Sequence, residues 1–322
     1  ISGSGVASAA AVGGIMSPIQ KKEGYDLAFS TAVNIASAPT GMLIPPSNTL
    51  IVYATVAGSV SVTALFMGGY IPGLLWGLGV MIVAGIMAKR RGYTANHAMS
   101  LTECVKVTID AIPSLSLIVI VIGGILGGVF TATEASAIAV VYALILSLGY
   151  RALDIRRIPE IFLNTAKMSA IVIFMLATSS IMSWVMAFTQ IPGMIADFLL
   201  SMTSNPIIIL LIINVILLFI GTFMDPTPAV LIFTPIFLPI CMNLGMDPVQ
   251  FGILLVFNLS LGTITPPVGP ILFTGCKVSG ISIDAVIKTL LPFFLVIFVV
   301  LMLVTFIPAI SMTIPEMMGL IK

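Results

Sequence analysis

The sequence predicts an all-α polytopic membrane protein built from inverted-topology repeats, with two re-entrant hairpins and two broken helices. Three observations carry this prediction: the composition, the length of the apolar runs and an internal repeat. Of the 322 residues, 59% are hydrophobic and only 8% are charged, whereas a soluble domain carries about 25% charged residues. The apolar runs have the length and period of helices and lack the short alternation of barrel strands.

The composition also excludes some partners and some chemistry. The formal net charge of +1 argues against nucleic acid as a partner. The cysteines Cys104, Cys241 and Cys276 are odd in number and scattered, which favours free thiols. The sequence has no GxxxxGKS/T, HExxH or GxSxG motif and no intramembrane carboxylate pair, so we predict neither ATP hydrolysis nor another enzyme activity.

Apolar runs predict the order of the membrane-crossing segments. These lie at 27–58, 65–88, 113–130, 135–149, 160–189, 248–276 and 286–310. Two amphipathic segments, 92–112 and 190–203, are expected on the inner and outer membrane surfaces. The pieces 207–221 and 229–241 are shorter than the ~20 residues that a crossing needs. They flank the polar stretch TFMDPTP, which predicts a re-entrant hairpin of two half-length helices.

One constant offset aligns the first part of the chain with the last part without a gap. The matches fall on residues that shape the backbone: Pro18 with Pro239, Gly24 with Gly245, Asp26 with Asp247, Gly41 with Gly262, Pro45–Pro46 with Pro266–Pro267, and Ser61 with Ser282. We call this constant shift in residue number, which takes position 18 to position 239, the repeat offset. Its recurrence predicts an internal repeat. It also predicts that SGSG at 2–5 is the tip of a first hairpin, whose first arm would precede Ile1, so that we expect the chain to be a fragment.

Basic residues predict the orientation, because they concentrate on the cytoplasmic side of membrane proteins. With the crossings above, every Lys and Arg except Lys322 falls on one side. The first hairpin then opens inward and the second opens outward, so the two repeats are inverted.

Four polar breaks interrupt the apolar sequence: SGSG at 2–5, PTGMLIPPSN at 39–48, GTFMDPTP at 221–228 and LGTITPPVG at 261–269. A helix broken inside the membrane offers free carbonyls at one end and free N–H groups at the other. Carbonyls and hydroxyls suit a hard cation such as sodium, and helix N-termini suit an anion. By the repeat, the first two breaks form one site and the last two form its mirror.

Asp225 is the acidic residue that the crossings place deepest in the membrane, which favours a role in cation binding. The alternative is that it only caps the helix that begins at Pro226. Gly41 and Gly262 have an alternative too, a turn with positive φ or a close backbone contact. The hydroxyls at the breaks could each bond back to their own helix instead of binding an ion or substrate; they belong to Ser2, Ser4, Thr222, Thr263 and Thr265.

Other notable residues have simpler interpretations. Glu134 lies in an outer turn, where Thr131 and Thr133 are expected to cap a helix. His97 stands alone near the basic inner surface and is expected to be solvated. The spacing of Gly69, Gly73 and Gly77 indicates helix packing in preference to a site.

Four motifs resemble the large membrane subunit of tripartite ATP-independent periplasmic (TRAP) transporters. They are GMLIPPSNTLIVYA, GGILGGVFTATEASAIAVVYA, GTFMDPTPAVLIFTPIFLPI and GMDPVQFGILLVFNLSLGTITPPVG. The resemblance covers essentially the whole chain. It implies an elevator-type, sodium-driven symporter of a bacterial inner membrane, without any other cofactor. It also implies uptake of an organic acid, such as a C4-dicarboxylate or sialic acid, from a periplasmic substrate-binding protein, and a small four-helix membrane subunit, fused or separate, in the lipid bilayer.

The resemblance further implies site residues. The first sodium site falls on Ser2, Ser4, Gly41, Ile44 and Pro46, and the second on Thr222, Asp225, Gly262, Thr265 and Pro267. The substrate would lie near Ser47, Asn48, Thr263 and Val268. Three alternatives stay open: an ion-coupled anion transporter that works without a binding protein, a passive channel, and an intramembrane enzyme, the last disfavoured by the missing catalytic pairs.

The same reasoning divides the chain into a transport part and a scaffold. The transport part is expected at 1–58 and 206–280, each with a hairpin and a broken helix. The scaffold is expected at 59–112, 113–189 and 281–322, and an outer amphipathic segment at 190–205.

Overall fold

A computed structural model describes residues 3–58, 60–93, 100–203 and 205–321. These residues form fifteen α-helices, one 3₁₀ turn at Ile155–Arg157 and no strand. The helices are α1 Gly5–Lys22, α2 Leu27–Ser37, α3 Thr40–Leu43, α4 Asn48–Ala57, α5 Val62–Arg90, α6 Leu101–Leu126, α7 Ala132–Gly149, α8 Ile158–Phe188, α9 Ile191–Met202, α10 Pro206–Phe223, α11 Pro226–Asn243, α12 Pro248–Gly262, α13 Pro270–Ser279, α14 Ile283–Phe306 and α15 Ala309–Met317.

The all-α polytopic prediction is confirmed for the described residues. Five helices are long and apolar enough to cross a membrane: α5, α6, α10, α11 and α14. A sixth candidate is the pair Leu27–Leu43 and Asn48–Ala57, which is bent by 41° at a short break.

The structure differs from the sequence prediction in the lengths of the second hairpin's arms. Helices α10 and α11 each have 18 residues, so neither is the half-length helix that we expected. The predicted arms were too short because they included only the apolar residues. Thr222, Pro228 and other non-apolar residues near the tip are also helical.

The boundary predicted at Pro113 is also wrong. Helix α6 runs from Leu101 to Leu126 with Pro113 inside it, so the expected surface segment at 92–112 is not separate from the following span. Proline inside a helix removes one backbone hydrogen bond, to the carbonyl four residues earlier, but contacts with other helices can still hold the helix together. One such contact joins α6 to α7, where the Tyr142 hydroxyl donates to the Pro113 carbonyl at 2.9 Å.

Helices of the first and last parts of the chain begin at the same spacing as the sequence matches. Helices α1 and α11 begin at Gly5 and Pro226, and both have 18 residues. Helices α2 and α12 begin at Leu27 and Pro248, and α5 and α14 begin at Val62 and Ile283. Each pair of starts therefore keeps the repeat offset.

Contacts divide the chain into two compact units, residues 1–94 with 179–322, and residues 95–178. In the first unit α12 forms the centre, and every side chain from Val249 to Gly262 is buried. Helix α1 packs on α13, and α11 packs on α4. The helix that follows each tip therefore contacts the broken helix of the other half.

The compact units group helices by contact, and the expected division into transport part and scaffold stays a prediction. Helices α5 and α14, which we assigned to the scaffold, pack on α12 and α2 within the same unit as both breaks. Trp76 of α5 shows how close this packing is: its Nε1 donates to the Ala36 carbonyl at 2.8 Å, and its ring lies 4.7 Å from that of Phe257.

An ion pair joins the loop before α2 to the end of α5. Arg91 Nη1 lies 2.7 Å from Asp26 Oδ1, and the Asp26 N–H donates to the Tyr93 hydroxyl at 3.0 Å. Partial burial raises the pKa of Asp26, but the hydrogen bond from the Phe29 amide and the Arg91 guanidinium outweigh it and lower the pKa. Asp26 also caps α2 through that Phe29 amide at 2.9 Å.

In the second unit, the interpretation of Glu134 as part of a helix N-terminus is confirmed. The Thr131 N–H donates to Glu134 Oε2 at 2.8 Å, and the Glu134 N–H donates to Thr131 Oγ1 at 3.3 Å, which forms a capping box.

The prediction of free thiols is also confirmed, with Cys104 exposed and Cys241 and Cys276 buried. His97 lies outside the described residues.

Candidate functional site: two helix breaks and two hairpin tips

The first break lies between α3 and α4. Ile44 leaves the helical conformation, the peptide between Pro45 and Pro46 is cis, and α4 begins at Asn48. Ser47 caps α4 by accepting the Leu50 N–H at 3.3 Å, and its hydroxyl donates to the Met42 carbonyl. This serine therefore ties the two sides of the break together.

The second break lies between α12 and α13 and has the same cis bond, at Pro266–Pro267. The Thr265 N–H donates to the Gly262 carbonyl at 2.9 Å, and the Ile271 N–H donates to the Thr263 carbonyl at 3.1 Å. Gly269 has φ +48, and a Cβ there would lie 2.9 Å from the Thr265 carbonyl oxygen. Only glycine fits this position without strain.

The threonine hydroxyls near the second break bond back to their own helices. Thr222 donates to Phe219 O at 2.7 Å, Thr263 to Ser260 O at 2.6 Å and Thr265 to Leu261 O at 2.8 Å. The alternative given in the sequence analysis is therefore realised at all three. A hydroxyl that donates its hydrogen keeps two acceptor lone pairs, so this bonding is compatible with a cation at the oxygen.

The tip of the second hairpin touches the second break through backbone atoms. A Cβ on Gly262 would lie 2.5 Å from Gly221 Cα, and a Cβ on Gly221 would lie 2.8 Å from the Leu259 carbonyl oxygen. The Gly269 N–H donates to the Thr222 carbonyl at 2.9 Å. The sequence analysis offered two structural reasons for glycine at this position, a positive φ or a close backbone contact. Gly262 has the close contact, and neither Gly41 nor Gly262 has a positive φ.

The tip of the first hairpin touches the first break in a similar way. A Cβ on Gly3 would lie 3.3 Å from the Asn48 side chain and from the Pro46 carbonyl oxygen. A Cβ on Gly5 would overlap Ile271 of α13. Helix α1, which Ser4 caps, therefore begins between the two broken helices. Ser2 lies outside the described residues.

Helix N-termini consequently converge at this place. Helix α1 begins beside Asn48, the first residue of α4, and beside Ile271, in the first turn of α13. Helix α11 begins shortly after Thr222, which bonds to Gly269. Each N-terminus carries about half a positive charge, so the arrangement can bind an anion.

Asp225 caps α11, as the alternative for this residue proposed. Its Oδ1 accepts the Thr227 N–H at 3.0 Å, and the side chain is exposed beside the hairpin tip. A capping carboxylate has a second oxygen and further lone pairs, so the cap leaves it free to contact a cation.

The four side chains expected near the substrate differ in exposure. Asn48 and Val268 are exposed, whereas Ser47 and Thr263 are buried and their hydroxyls donate to backbone carbonyls. The last two are placed to shape the breaks more than to touch a ligand. Of the remaining expected ion-site residues, Ile44, Pro46 and Pro267 lie at the breaks, and Gly41 lies in α3 just before the first break.

Sequence reasoning missed three contributors to this region. Gly221 and Gly269 make the backbone contacts between tip and break, and Asn258 lies one turn before Gly262 in α12. Asn214 and Asn258 stand out as amides within long apolar runs, and that signal could have found them.

Apolar spans that surround two helix breaks with convergent N-termini define a membrane permease, a class of transport protein. The chain belongs to the DctM component family of tripartite ATP-independent periplasmic transporters, whose model matches residues 1–310.

Several relatives share most of the chain. It is 39% identical to the C4-dicarboxylate TRAP transporter large permease protein DctM of Pseudomonas aeruginosa, covering 99% of this chain and 75% of that protein. It is 36% identical to the sialic acid TRAP transporter large permease protein SiaM of Vibrio cholerae, covering 98% and 74%. An uncharacterised Salmonella typhimurium protein, YgiK, is 55% identical, covering 98% and 73%.

Proposed function

We propose that this permease takes up an organic acid by sodium-coupled symport in a bacterial inner membrane. The acid is delivered by a periplasmic substrate-binding protein, and a small four-helix membrane subunit, fused or separate, assists the permease in the bilayer. The observation that carries the proposal is the convergence of helix N-termini and interrupted backbone at the two breaks.

Sodium is proposed to bind where each hairpin tip meets a break. The first site would use Ser2, Ser4, Gly41, Ile44 and Pro46, and the second Thr222, Asp225, Gly262, Thr265 and Pro267. The contacts of Gly3 with Pro46 and of Gly221 with Gly262 support this pairing of tips with breaks. Among the described residues no cluster of His, Cys, Asp or Glu could bind a metal, so carbonyls and hydroxyls would supply most ligands.

The substrate is proposed to be an anion held by helix N-termini near Ser47, Asn48, Thr263 and Val268. Exposed Asn48 at the start of α4 is the most favourable contact among them, because its amide can donate to a carboxylate. Relatives are named for C4-dicarboxylate, isethionate and sialic acid, which are all organic anions. This agreement supports an organic anion and does not select one.

Transport is proposed to follow an elevator mechanism with inverted repeats and re-entrant hairpins. Equal spacing of the helix starts and the packing of α1 on α13 and of α11 on α4 support the repeats. The proposed division keeps the moving transport part at 1–58 and 206–280 and places α5 and α14 in the scaffold, where they pack on α12.

Reconstituted uptake tests the proposal against its alternatives. Proteoliposomes with the permease and its small subunit would be offered labelled C4-dicarboxylate, sialic acid or isethionate, with and without candidate binding proteins. We expect accumulation above equilibrium only with a matching binding protein. Accumulation without one would favour an independent anion transporter, and equilibration without accumulation would favour a channel.

A further inference from the structure

Four polar side chains that are not among the proposed ligands are buried among helices α10, α12 and α14. They are Asn214, Gln250, Asn258 and Thr305, and each is at most 3% exposed. A polar group buried in apolar surroundings is costly unless it is hydrogen-bonded. Their presence in this apolar unit therefore needs an explanation.

Hydrogen bonds join these side chains into one network, which we call the polar seam. Asn258 Nδ2 donates to the backbone oxygen of Asn214 at 3.0 Å and to its Oδ1 at 2.6 Å. Asn214 Nδ2 donates to Thr305 Oγ1 at 3.2 Å, and Gln250 Nε2 donates to the Thr305 carbonyl at 3.2 Å. The polar seam thus links α10 to α12 and both of them to the end of α14.

One atom of the polar seam has no partner. Asn258 Oδ1 is buried and accepts no hydrogen bond from any described residue. An unpaired acceptor opposes folding, so stability alone does not account for asparagine at this position. A leucine would fill similar space without leaving an unpaired oxygen.

The polar seam lies on the same helix faces as the contact between hairpin tip and break. Asn258 precedes Gly262 by one helical turn, and Asn214 precedes Gly221 by about two turns. Gly221 and Gly262 are the residues whose backbones touch. The bonds between Asn214 and Asn258 therefore fix the position of α10 along α12 close to that contact.

We infer that the polar seam positions the second sodium site, with Asn214 and Asn258 as positioning residues. A shift of α10 along α12 would change the distances from Thr222 to Gly262 and Thr265. The two halves differ at the corresponding positions, since the repeat offset pairs Asn258 with Ser37 and Thr305 with Ala84. The inference rests on the proposed sodium coupling and concerns one of its two sites.

The test compares Asn258→Leu and Thr305→Val with Tyr53→Phe as the matched control. The Tyr53 hydroxyl donates to the Pro248 carbonyl at 2.6 Å, so the control removes a hydrogen bond to the same helix, α12, at its start and more than two turns before Asn258. For each variant in proteoliposomes, three quantities are measured: the sodium concentration at half-maximal uptake, the maximal rate, and the Tm of the purified protein.

We expect Asn258→Leu to raise the half-maximal sodium concentration by about tenfold, the size of effect seen when residues that orient metal ligands are removed. Thr305→Val removes one bond and should give a smaller shift in the same direction. Tyr53→Phe should leave the half-maximal sodium concentration unchanged. A purely structural role would lower Tm or the maximal rate without moving the sodium dependence.

Two results would overturn the inference. One is a wild-type sodium dependence in Asn258→Leu and Thr305→Val; if Asn258→Leu does not fold, Thr305→Val alone decides. The other is an equal shift in Tyr53→Phe. If wild-type uptake itself ignores sodium, the proposed function fails, and that result is recognised before any variant is compared.

Discussion

Asp225 caps a helix and is also proposed to contact sodium. Its Oδ1 caps α11, and its position at the tip of the second hairpin places a negative charge beside the second break. Asp247 offers an internal comparison, because it stands in the same Met-Asp-Pro sequence and caps α12 through the Val249 N–H at 2.7 Å. Comparing variants of these two aspartates therefore distinguishes capping from the proposed ion binding.

Asp225→Asn should weaken sodium coupling while the protein stays folded, because asparagine caps helices about as well as aspartate. Loss of a full charge about 4 Å from a cation is worth ~1–4 kcal/mol, so we expect a half-maximal sodium concentration roughly tenfold higher. Sodium titration of uptake measures this. Asp247→Asn is the control and should leave the titration unchanged; equal titrations for wild type and Asp225→Asn would reduce Asp225 to a cap.

The ion pair of Asp26 and Arg91 predicts a small, pH-dependent contribution to stability. Because the pKa of Asp26 is lowered in the fold, its contribution is present above the ordinary value of about 3.9 and is lost as the pH falls below it. Exposed ion pairs contribute about 0–1 kcal/mol. Asp26→Asn, which keeps the cap, should therefore lower Tm slightly at pH 7.

The pH series distinguishes the ion pair from the cap. The difference in Tm between wild type and Asp26→Asn should stay constant from neutral pH to about pH 5 and shrink in stronger acid. Asp26→Ala also removes the cap and should cost about 1 kcal/mol more. A difference between wild type and Asp26→Asn that grows as the pH falls would contradict this assignment.

At the scale of elements, α5 holds the first break through two glycines. A Cβ on Gly69 would overlap the Leu43 carbonyl oxygen, and a Cβ on Gly73 would lie 2.5 Å from Ile44 Cγ1. In the second half, the repeat offset replaces these glycines with Leu290 and Phe294. A cavity of about 130 Å³ lies there between α14 and Thr265–Pro266, so α14 leaves space beside the second break.

Alanine at Gly69 or Gly73 should push α5 away from the first break. Overpacking of this kind costs about 1–3 kcal/mol, so Tm should fall, and uptake should fall with it because Ile44 belongs to the proposed first ion site. Gly77→Ala is the matched control on the same helix, since a Cβ there meets nothing within 4 Å. Equal effects at the three positions would show that helix propensity, not contact with the break, explains the result.

The sequence predicted the elements where local chemistry determines them. Asp225 before Pro226 marked the start of α11, and double prolines marked both breaks. It mispredicted Pro113 and the lengths of α10 and α11, because an apolar count does not include polar residues that continue a helix. Near Pro113, α6 also contacts another helix, through the hydrogen bond from the Tyr142 hydroxyl to the Pro113 carbonyl, and no local pattern reveals this contact.

At the scale of the whole chain, the site could be predicted only in outline. The Gly, Pro, Asp and Ser residues that recur at the repeat offset indicated which segments pair. They did not indicate that Gly221 touches Gly262 or that Asn258 bonds to Asn214, because these contacts join residues that are distant in sequence, across two helices. The assignment of α5 and α14 to the scaffold stays a prediction, and their packing on α12 is likewise not visible in either helix alone.

In the first unit, α1 packs on α13 and α11 packs on α4, so each half contacts the broken helix of the other half. Each hairpin tip lies where its movement would affect the broken helices of both halves. Under the proposed mechanism, sodium at a tip would therefore stabilise the substrate position between the breaks, which is the basis of coupling.

The measurement that tests this account most directly is the dependence of uptake on a sodium gradient. Proteoliposomes containing the permease and its small subunit would receive labelled organic acid and its binding protein, with sodium outside, sodium on both sides, or choline in place of sodium. The account predicts accumulation above equilibrium only with sodium outside, and no accumulation in choline. Equal accumulation in sodium and in choline would contradict it.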